Sequence, residues 1–254
     1  MAKLTVADLQ QMKKDGKKIA AGVVYEAQMT KLFERAGVDL LSVGDSLSRN
    51  LLGHAGPDDY TVEEMLVLAG AVARTAKRAV VNVDMPGRVT DAGPKEVERV
   101  SRLIKELGAD TTKIDLREHE EELFDEVQAV IDAGLAVYPQ IGFGYVAGGD
   151  MHSSREDRDQ VLKWAKKLEE GGASMIDLTM VSHEIYEAAS KSVSIPVIGG
   201  QTGPEADGKI NVAYGLVGYA DALLDRKDAP ESAAKFMYER IEKAITDIHA
   251  GDYS

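Results

Sequence analysis

The 254 residues carry 30 Lys and Arg against 43 Asp and Glu, a formal net charge of −13, with 44% apolar and 29% charged residues. This balance excludes a disordered, collagenous or fibrous chain and argues against nucleic acid or an anionic membrane as a partner held by bulk charge. With no cysteine, disulfides, thiolate nucleophiles, Cys-type zinc sites and iron–sulfur clusters are excluded as well.

The N-terminal MAKLTVADLQQMKKDGKK has no apolar run ahead of a small-residue cleavage site, and no stretch reaches the roughly 18 apolar residues of a membrane span. The expectation is a soluble cytoplasmic protein. From there, short strand-type runs alternate with helix-length periodic segments. IAAGVVY (19–25) precedes the helix MTKLFERAG, and LLSVGD (40–45) precedes VEEMLVLAGAVARTA. AVVNVDM (79–85) precedes PKEVERVSRLIKELG, and TTKIDL (111–116) precedes EEELFDEVQAVIDAG. LAVYPQIG (135–142) leads to REDRDQVLKWAKKLEEGG, SMIDLTMV (174–181) to HEIYEAASKS, and IPVIGG (195–200) closes the strong series. A weaker eighth strand is expected within GLVGYADALL (215–224), and PESAAKFMYERIEKAITDIH (230–249) reads as an amphipathic closing helix, with an oligomer contact as the rival reading.

Gly37, Gly108, Gly134 and Gly172 follow helix segments directly, as C-terminal caps of helix-to-strand connections do. Repeating βα units without a long linker predict one domain over 1–254, and strands apolar on both faces predict a parallel sheet covered by helices. Eight units favour a closed (β/α)8 TIM barrel over an open doubly wound sheet.

Active sites of parallel barrels form at the C-terminal strand ends. The first strand ends in Tyr25 and Glu26, the second in Asp45 and Ser46, the third in Asp84. The fourth carries Lys113 and Asp115, the fifth ends in Gln140, the sixth carries Asp177 and Thr179, and the seventh ends near Gln201. Side chains alternate with period two, so the apolar set claims the helix side and the polar set faces the barrel interior. Asp45, Asp84 and Asp115 then converge on one mouth. Carboxylates brought together repel unless neutralised, and a hard divalent cation, Mg²⁺ with Mn²⁺ as the alternative, is the usual answer. Lys113 could neutralise charge or bind a substrate carboxylate. Helix capping is the competing explanation for each Asp taken singly. GFGYVA (142–147) matches a dinucleotide fingerprint only loosely and reads as a strand-end loop. His119 with its following glutamates reads as a solvated helix start, and His183 as a helix start near the mouth.

VGDSL (43–47), LGH (52–54), YTV (60–62), NVDMP (82–86), KID (113–115), IPVIG (195–199) and DGK (207–209) occur in the order and near the spacing of the ketopantoate hydroxymethyltransferase family, which the chain resembles from about Leu9 to about Gly218. The wider superfamily is that of phosphoenolpyruvate mutase and isocitrate lyase, again with a (β/α)8 fold. The resemblance implies Mg²⁺ held by Asp45, Asp84 and Asp115, with Asp115 standing where the family has Glu. It implies a 2-oxo acid substrate whose carboxylate meets Ser46 and Lys113, and a homo-oligomer. Tyr25 matches a family tyrosine, and Glu26 replaces the Asp that follows it.

Other positions depart from the pattern. Gln140 stands at the substrate-facing His position, Thr179 at the proton-transferring Glu, and VAYGL (212–216) replaces VMHDxxG. Threonine is a poor base at neutral pH, so proton transfer must fall to another group. Glu26 is the preferred candidate, with Tyr25, Asp177, His183 or a metal-bound water as alternatives. The expected activity is Mg²⁺-dependent making or breaking of a C–C bond beside a 2-oxo acid through a stabilised enolate. Hydroxymethyl transfer is the family reaction, and a one-carbon donor such as methylenetetrahydrofolate is left open. The alternatives are a retro-aldol lyase acting on another 2-oxo or 2-hydroxy acid, or a non-catalytic homologue that binds metal and carboxylate.

Overall fold

The computed structural model describes residues 2–56, 59–117, 124–144, 151–219 and 232–249. Two compact units divide the chain, Met1–Ile210 and Asn211–Ser254.

The first unit alternates strands and helices in chain order. It opens with α1 (Val6–Lys14), β1 (Ile19–Val23), α2 (Ala27–Ala36), β2 (Leu40–Val43), α3 (Leu47–Asn50) and α4 (Val62–Thr75). It continues through β3 (Val80–Asp84), α5 (Gly87–Asp91), α6 (Pro94–Glu106), β4 (Thr111–Lys113), α7 (Phe124–Asp132), β5 (Ala136–Val137) and β6 (Gln140–Gly142). Then come α8 (Arg155–Glu170), β7 (Ile176–Thr179), α9 (His183–Ser192), β8 (Val197–Ile198) and β9 (Gly208–Val212), the last crossing into the second unit.

One sheet runs β5-β4-β3-β2-β1-β9 and the other β6-β7-β8. The registered pairs among β1 to β8 are parallel. Two seams join the sheets. On one side Asp115 bridges Gln140, with Gln140 N–H donating to Ile114 O (2.8 Å) and Leu116 N–H to Gln140 O (2.9 Å). On the other, Asp207 N–H donates to Val197 O and Ile210 N–H to Gly199 O, both at 3.1 Å. The ring therefore closes as a parallel α/β barrel.

The expected fifth strand (135–142) is split into β5 and β6. Pro139 lies in the gap and brings no N–H to a ladder. The expected eighth strand within 215–224 is a correction. Residues Ala213–Leu216 form a helical turn, 220–224 lie outside the described residues, and the closing strand is β9. GKINV alternates apolar with polar residues and is only partly buried, so it shows no apolar run.

Among the described residues the expected helices form within a few residues of their predicted bounds. Gly37 adopts φ 91° and Gly108 φ 90° at helix ends, where an L side chain would be strained. The floor of the barrel is apolar: Leu9, Ile19, Ala21, Leu40, Val80, Tyr138, Met175 and Ile198 pack together, with Leu4, Val6 and Met12 against them. Helix α1 supplies Leu9, and its start is fixed by a capping box in which Thr5 and Asp8 bond each other's backbone N–H.

The second unit holds α10 (Ala213–Leu216) and α11 (Ala233–His249), with Ala233 N–H donating to Val217 O (2.9 Å). Phe236, Tyr238, Ile241 and Ile245 of α11 are exposed. Among the described residues no helix is long and apolar enough to cross a membrane.

Candidate active site

Parallel register brings the polar strand-end residues side by side. Ser42 pairs with Asn82, Asp84 with Lys113, and Gln140 with Asp177. In-register residues on neighbouring parallel strands point the same way, so each pair meets on the interior face.

Asp84 is the centre of the cluster and is 3% exposed. Its Oδ1 accepts from Ser42 Oγ (2.9 Å) and Asn82 Nδ2 (2.7 Å). Its Oδ2 lies 2.7 Å from Lys113 Nζ and accepts from the Asp45 backbone N–H (3.3 Å). Lys113 Nζ also lies 3.5 Å from Asp177 Oδ2. Burial opposes the Lys113 charge, but Asp84, Asp45 and Asp177 outweigh it and hold the ammonium well above its ordinary value. Burial raises the Asp177 carboxyl to about 6, only partly countered by Lys113.

Asp45 and Ser46 follow β2. Tyr25 OH and Ser46 Oγ are 2.9 Å apart, and Asn50 Nδ2 donates to the same Tyr25 oxygen (2.8 Å). Burial raises the Tyr25 phenol, and the Asp45 and Asp84 charges add to that shift. The Asp45 carboxylate is partly exposed and has no hydrogen-bonding or ion-pair partner among the described residues.

Asp115 departs from the expected metal triad. Arg117 Nε bonds both of its carboxylate oxygens (2.9 and 3.0 Å), Arg117 Nη2 bonds Oδ2, and the Arg117 N–H donates to Oδ1 (3.0 Å). Burial would raise the Asp115 carboxyl, but the guanidinium more than offsets it and holds the group below its ordinary range. Among the described residues no three His, Asp or Glu side chains are grouped to hold a metal ion. The pair that fits is Asp45 with Asp84: two carboxylates, one of them unengaged. Mg²⁺ is commonly held by one or two carboxylates, with water and substrate oxygens completing the octahedron. Arg117 escaped the sequence reading, although its position two residues after Asp115 places it at the same strand end.

Beyond Asp177, the described ends of β6 and β7 carry a hydroxyl and an amide. Thr179 Oγ1 donates to Gln201 Oε1 (3.1 Å), and among the described residues buried Gln140 Oε1 has no hydrogen-bond partner. Gly142 pairs with Thr179 and sits at φ 116°, where an added Cβ would stand 2.1 Å from Thr179 O. Only glycine permits that approach. Phe143 follows and stacks on His152 at 4.3 Å between ring centroids, while His152 Nδ1 lies 3.5 Å from Asp157 Oδ1.

Glu26, the preferred base, is the N-cap of α2, its carboxylate accepting from the backbone N–H of Gln28 and of Met29 (2.6 Å). His183 begins α9, and His119 and the loop 145–150 lie outside the described residues.

A closed parallel barrel with acids, lysine and tyrosine at its C-terminal strand ends is a TIM-barrel fold, shared with members of the phosphoenolpyruvate mutase/isocitrate lyase superfamily. Over 96–98% of this chain it superposes on 2,3-dimethylmalate lyase (TM-score 0.66, 15% identity, all of that chain covered) and on phosphonopyruvate hydrolase complexed with oxalate and Mg²⁺ (TM-score 0.64, 14% identity, 98% of that chain). At the level of sequence, residues 3–250 match the ketopantoate hydroxymethyltransferase profile, and the chain belongs to that family. It is 34% identical to the 3-methyl-2-oxobutanoate hydroxymethyltransferase of Thermotoga neapolitana (strain ATCC 49049 / DSM 4359 / NBRC 107923 / NS-E) over 258 residues, spanning 96% of this chain and 90% of that one. It is 31% identical to the enzyme of the same name from Leifsonia xyli subsp. xyli (strain CTCB07) over 250 residues, 93% and 89% of the two chains.

Proposed function

We propose that this enzyme makes or breaks a C–C bond beside a 2-oxo acid with Mg²⁺ at Asp45 and Asp84, hydroxymethyl transfer to the 2-oxo acid being the first reading. The observation that carries it is Asp84, buried between Lys113 and the backbone of Asp45, with the Asp45 carboxylate unengaged beside it. When bound, the ion supplies Lewis-acid stabilisation of enolate charge. Lys113 and Ser46 hold the substrate carboxylate, and Tyr25 orients Ser46. Asp177 is the better-placed proton acceptor. Burial lifts it to about 6, so it is ionised at neutral pH yet basic enough to take a proton. Glu26 is committed to two backbone N–H groups.

A second reading, a retro-aldol lyase acting on a different 2-oxo acid, is favoured by the neutral Thr179–Gln201 pair on the far side of the mouth. The test is C3-proton exchange in D₂O, followed by NMR, with 2-oxoisovalerate and other 2-oxo acids, with Mg²⁺ or with EDTA, and with Asp84→Ala as the control. Exchange that needs both Mg²⁺ and Asp84 supports enolate chemistry. Its absence with every acid, together with cleavage of none of the corresponding 4-hydroxy-2-oxo acids, removes both readings.

A further inference from the structure

Among the described residues at this mouth, Arg117 is a second cation beside Lys113, and its guanidinium has N–H groups to spare. Lys113 is held between Asp84 and Asp177. Arg117 presents its Nε/Nη2 edge to Asp115, and among the described residues no other partner engages the guanidinium. Its Nη1/Nη2 end is open. The side chain is 22% exposed, so the group is largely desolvated, and its partner Asp115 bridges Gln140 across the seam of the barrel, which places the guanidinium at the strand ends of the same mouth. A guanidinium has five N–H groups in a rigid fork that matches a carboxylate two-to-two. Asp115 fixes the plane of this fork, so little side-chain freedom remains to be lost when a ligand docks.

We infer that Arg117 receives a second carboxylate of the substrate, remote from the 2-oxo acid end, so that the preferred ligand is a dicarboxylic 2-oxo acid. The inference rests on the proposed 2-oxo acid reading. A purely structural Arg117, neutralising Asp115, is the competing account.

Isothermal titration calorimetry with Mg²⁺ present separates the two. The ligands are paired by chain length and differ in the terminal charge: 2-oxoglutarate against 2-oxopentanoate, and oxaloacetate against 2-oxobutanoate. The wild type is expected to bind at least one diacid about tenfold or more tightly than its uncharged-end partner, and Arg117→Gln is expected to bring that ratio within about twofold. Arg117→Lys restores part of the preference, because charge remains while the fork is lost. A wild type without the preference, or a preference retained in a folded Arg117→Gln, overturns the inference while 2-oxo acid binding itself stands. Failure of all four ligands and of 2-oxoisovalerate to bind removes the 2-oxo acid reading, and this inference falls with it.

Discussion

Lys113 Nζ and Asp84 Oδ2 lie 2.7 Å apart on adjacent strands in register, both side chains almost wholly buried. A charge in such a place is tolerated only with its partner, and here the partners extend in a chain. Ser42 and Asn82 donate to the far oxygen of Asp84, and Asp177 approaches the far side of Lys113. The network therefore fixes the position of Asp84 independently of any ligand.

Removing Asp84 should act on both stability and metal binding. Asp84→Ala leaves Lys113 buried with only Asp177 at 3.5 Å, and breaking such a pair costs about 3 kcal/mol. In thermal denaturation the wild type should gain Tm with millimolar Mg²⁺, because a ligand that binds the folded state stabilises it. The variant should start lower and gain none. An undiminished Mg²⁺ shift in the variant takes Asp84 out of the ligand set.

Asp177 gives a pH signature of opposite sign to a salt-bridged carboxylate. Its folded value, about 6, lies above the ordinary 3.8, so between those limits the folded state binds more protons than the unfolded one. The contribution of Asp177 to stability then falls as pH rises from about 4 to 6, and its penalty is fully present above that window. Two units correspond to about 3 kcal/mol as an upper figure. Asp177→Asn, which mimics the neutral form, should remove this slope and match or exceed the wild type at pH 8 in urea denaturation. If Asp177 is also the base, the same variant loses C3-proton exchange, and the wild-type rate rises through an apparent pKa near 6. A difference of the opposite sign between wild type and Asp177→Asn in the pH 4–6 window would show Asp177 to be stabilised as the anion.

Much of this was legible from the chain because period-two alternation and strand-end position are local properties. Asn82 with Asp84, and Lys113 with Asp115, needed only the pleat. Partnership was not legible. That Arg117 folds back on Asp115, and that Glu26 turns its carboxylate onto Gln28 and Met29, depends on how the chain leaves each strand. Strand β9 was hidden because its alternation is shallow. Helix α1 was hidden because its polar stretch reads as an N-terminal tail, although Thr5 and Asp8 carry the capping-box spacing.

Glu26 tests the difference between a cap and a base. Its carboxylate holds two N–H groups at the start of α2, so Glu26→Ala should cost about 1 kcal/mol. Glu26→Asn keeps an N-cap acceptor and should recover most of that stability. If capping is the whole role, C3-proton exchange by Glu26→Asn stays close to wild type. Exchange lost in both variants, with Glu26→Asn fully folded, would falsify the capping assignment and return Glu26 to the chemistry.

The Thr179 end of the mouth should be convertible. Among the described residues Thr179 Oγ1 meets only Gln201, and its registered neighbour is Gly142, which has no side chain to block a longer residue. Thr179→Glu would place a carboxylate there, two residues beyond Asp177 on the same interior face. Gln140→His, beside Asp177 in register, would supply an imidazole whose proton could be shared with either acid. Together the two changes should raise hydroxymethyl transfer to 2-oxoisovalerate, measured as ketopantoate formed with Mg²⁺ and a one-carbon donor. Thr179→Glu alone should lose stability, because the new carboxylate is buried near Asp177 with Gln201 as its nearest donor. The imidazole, when protonated, should recover part of that loss. A double variant as folded as the wild type, yet without any gain in ketopantoate, would mean that the pocket rejects 2-oxoisovalerate by its shape rather than by its proton handling.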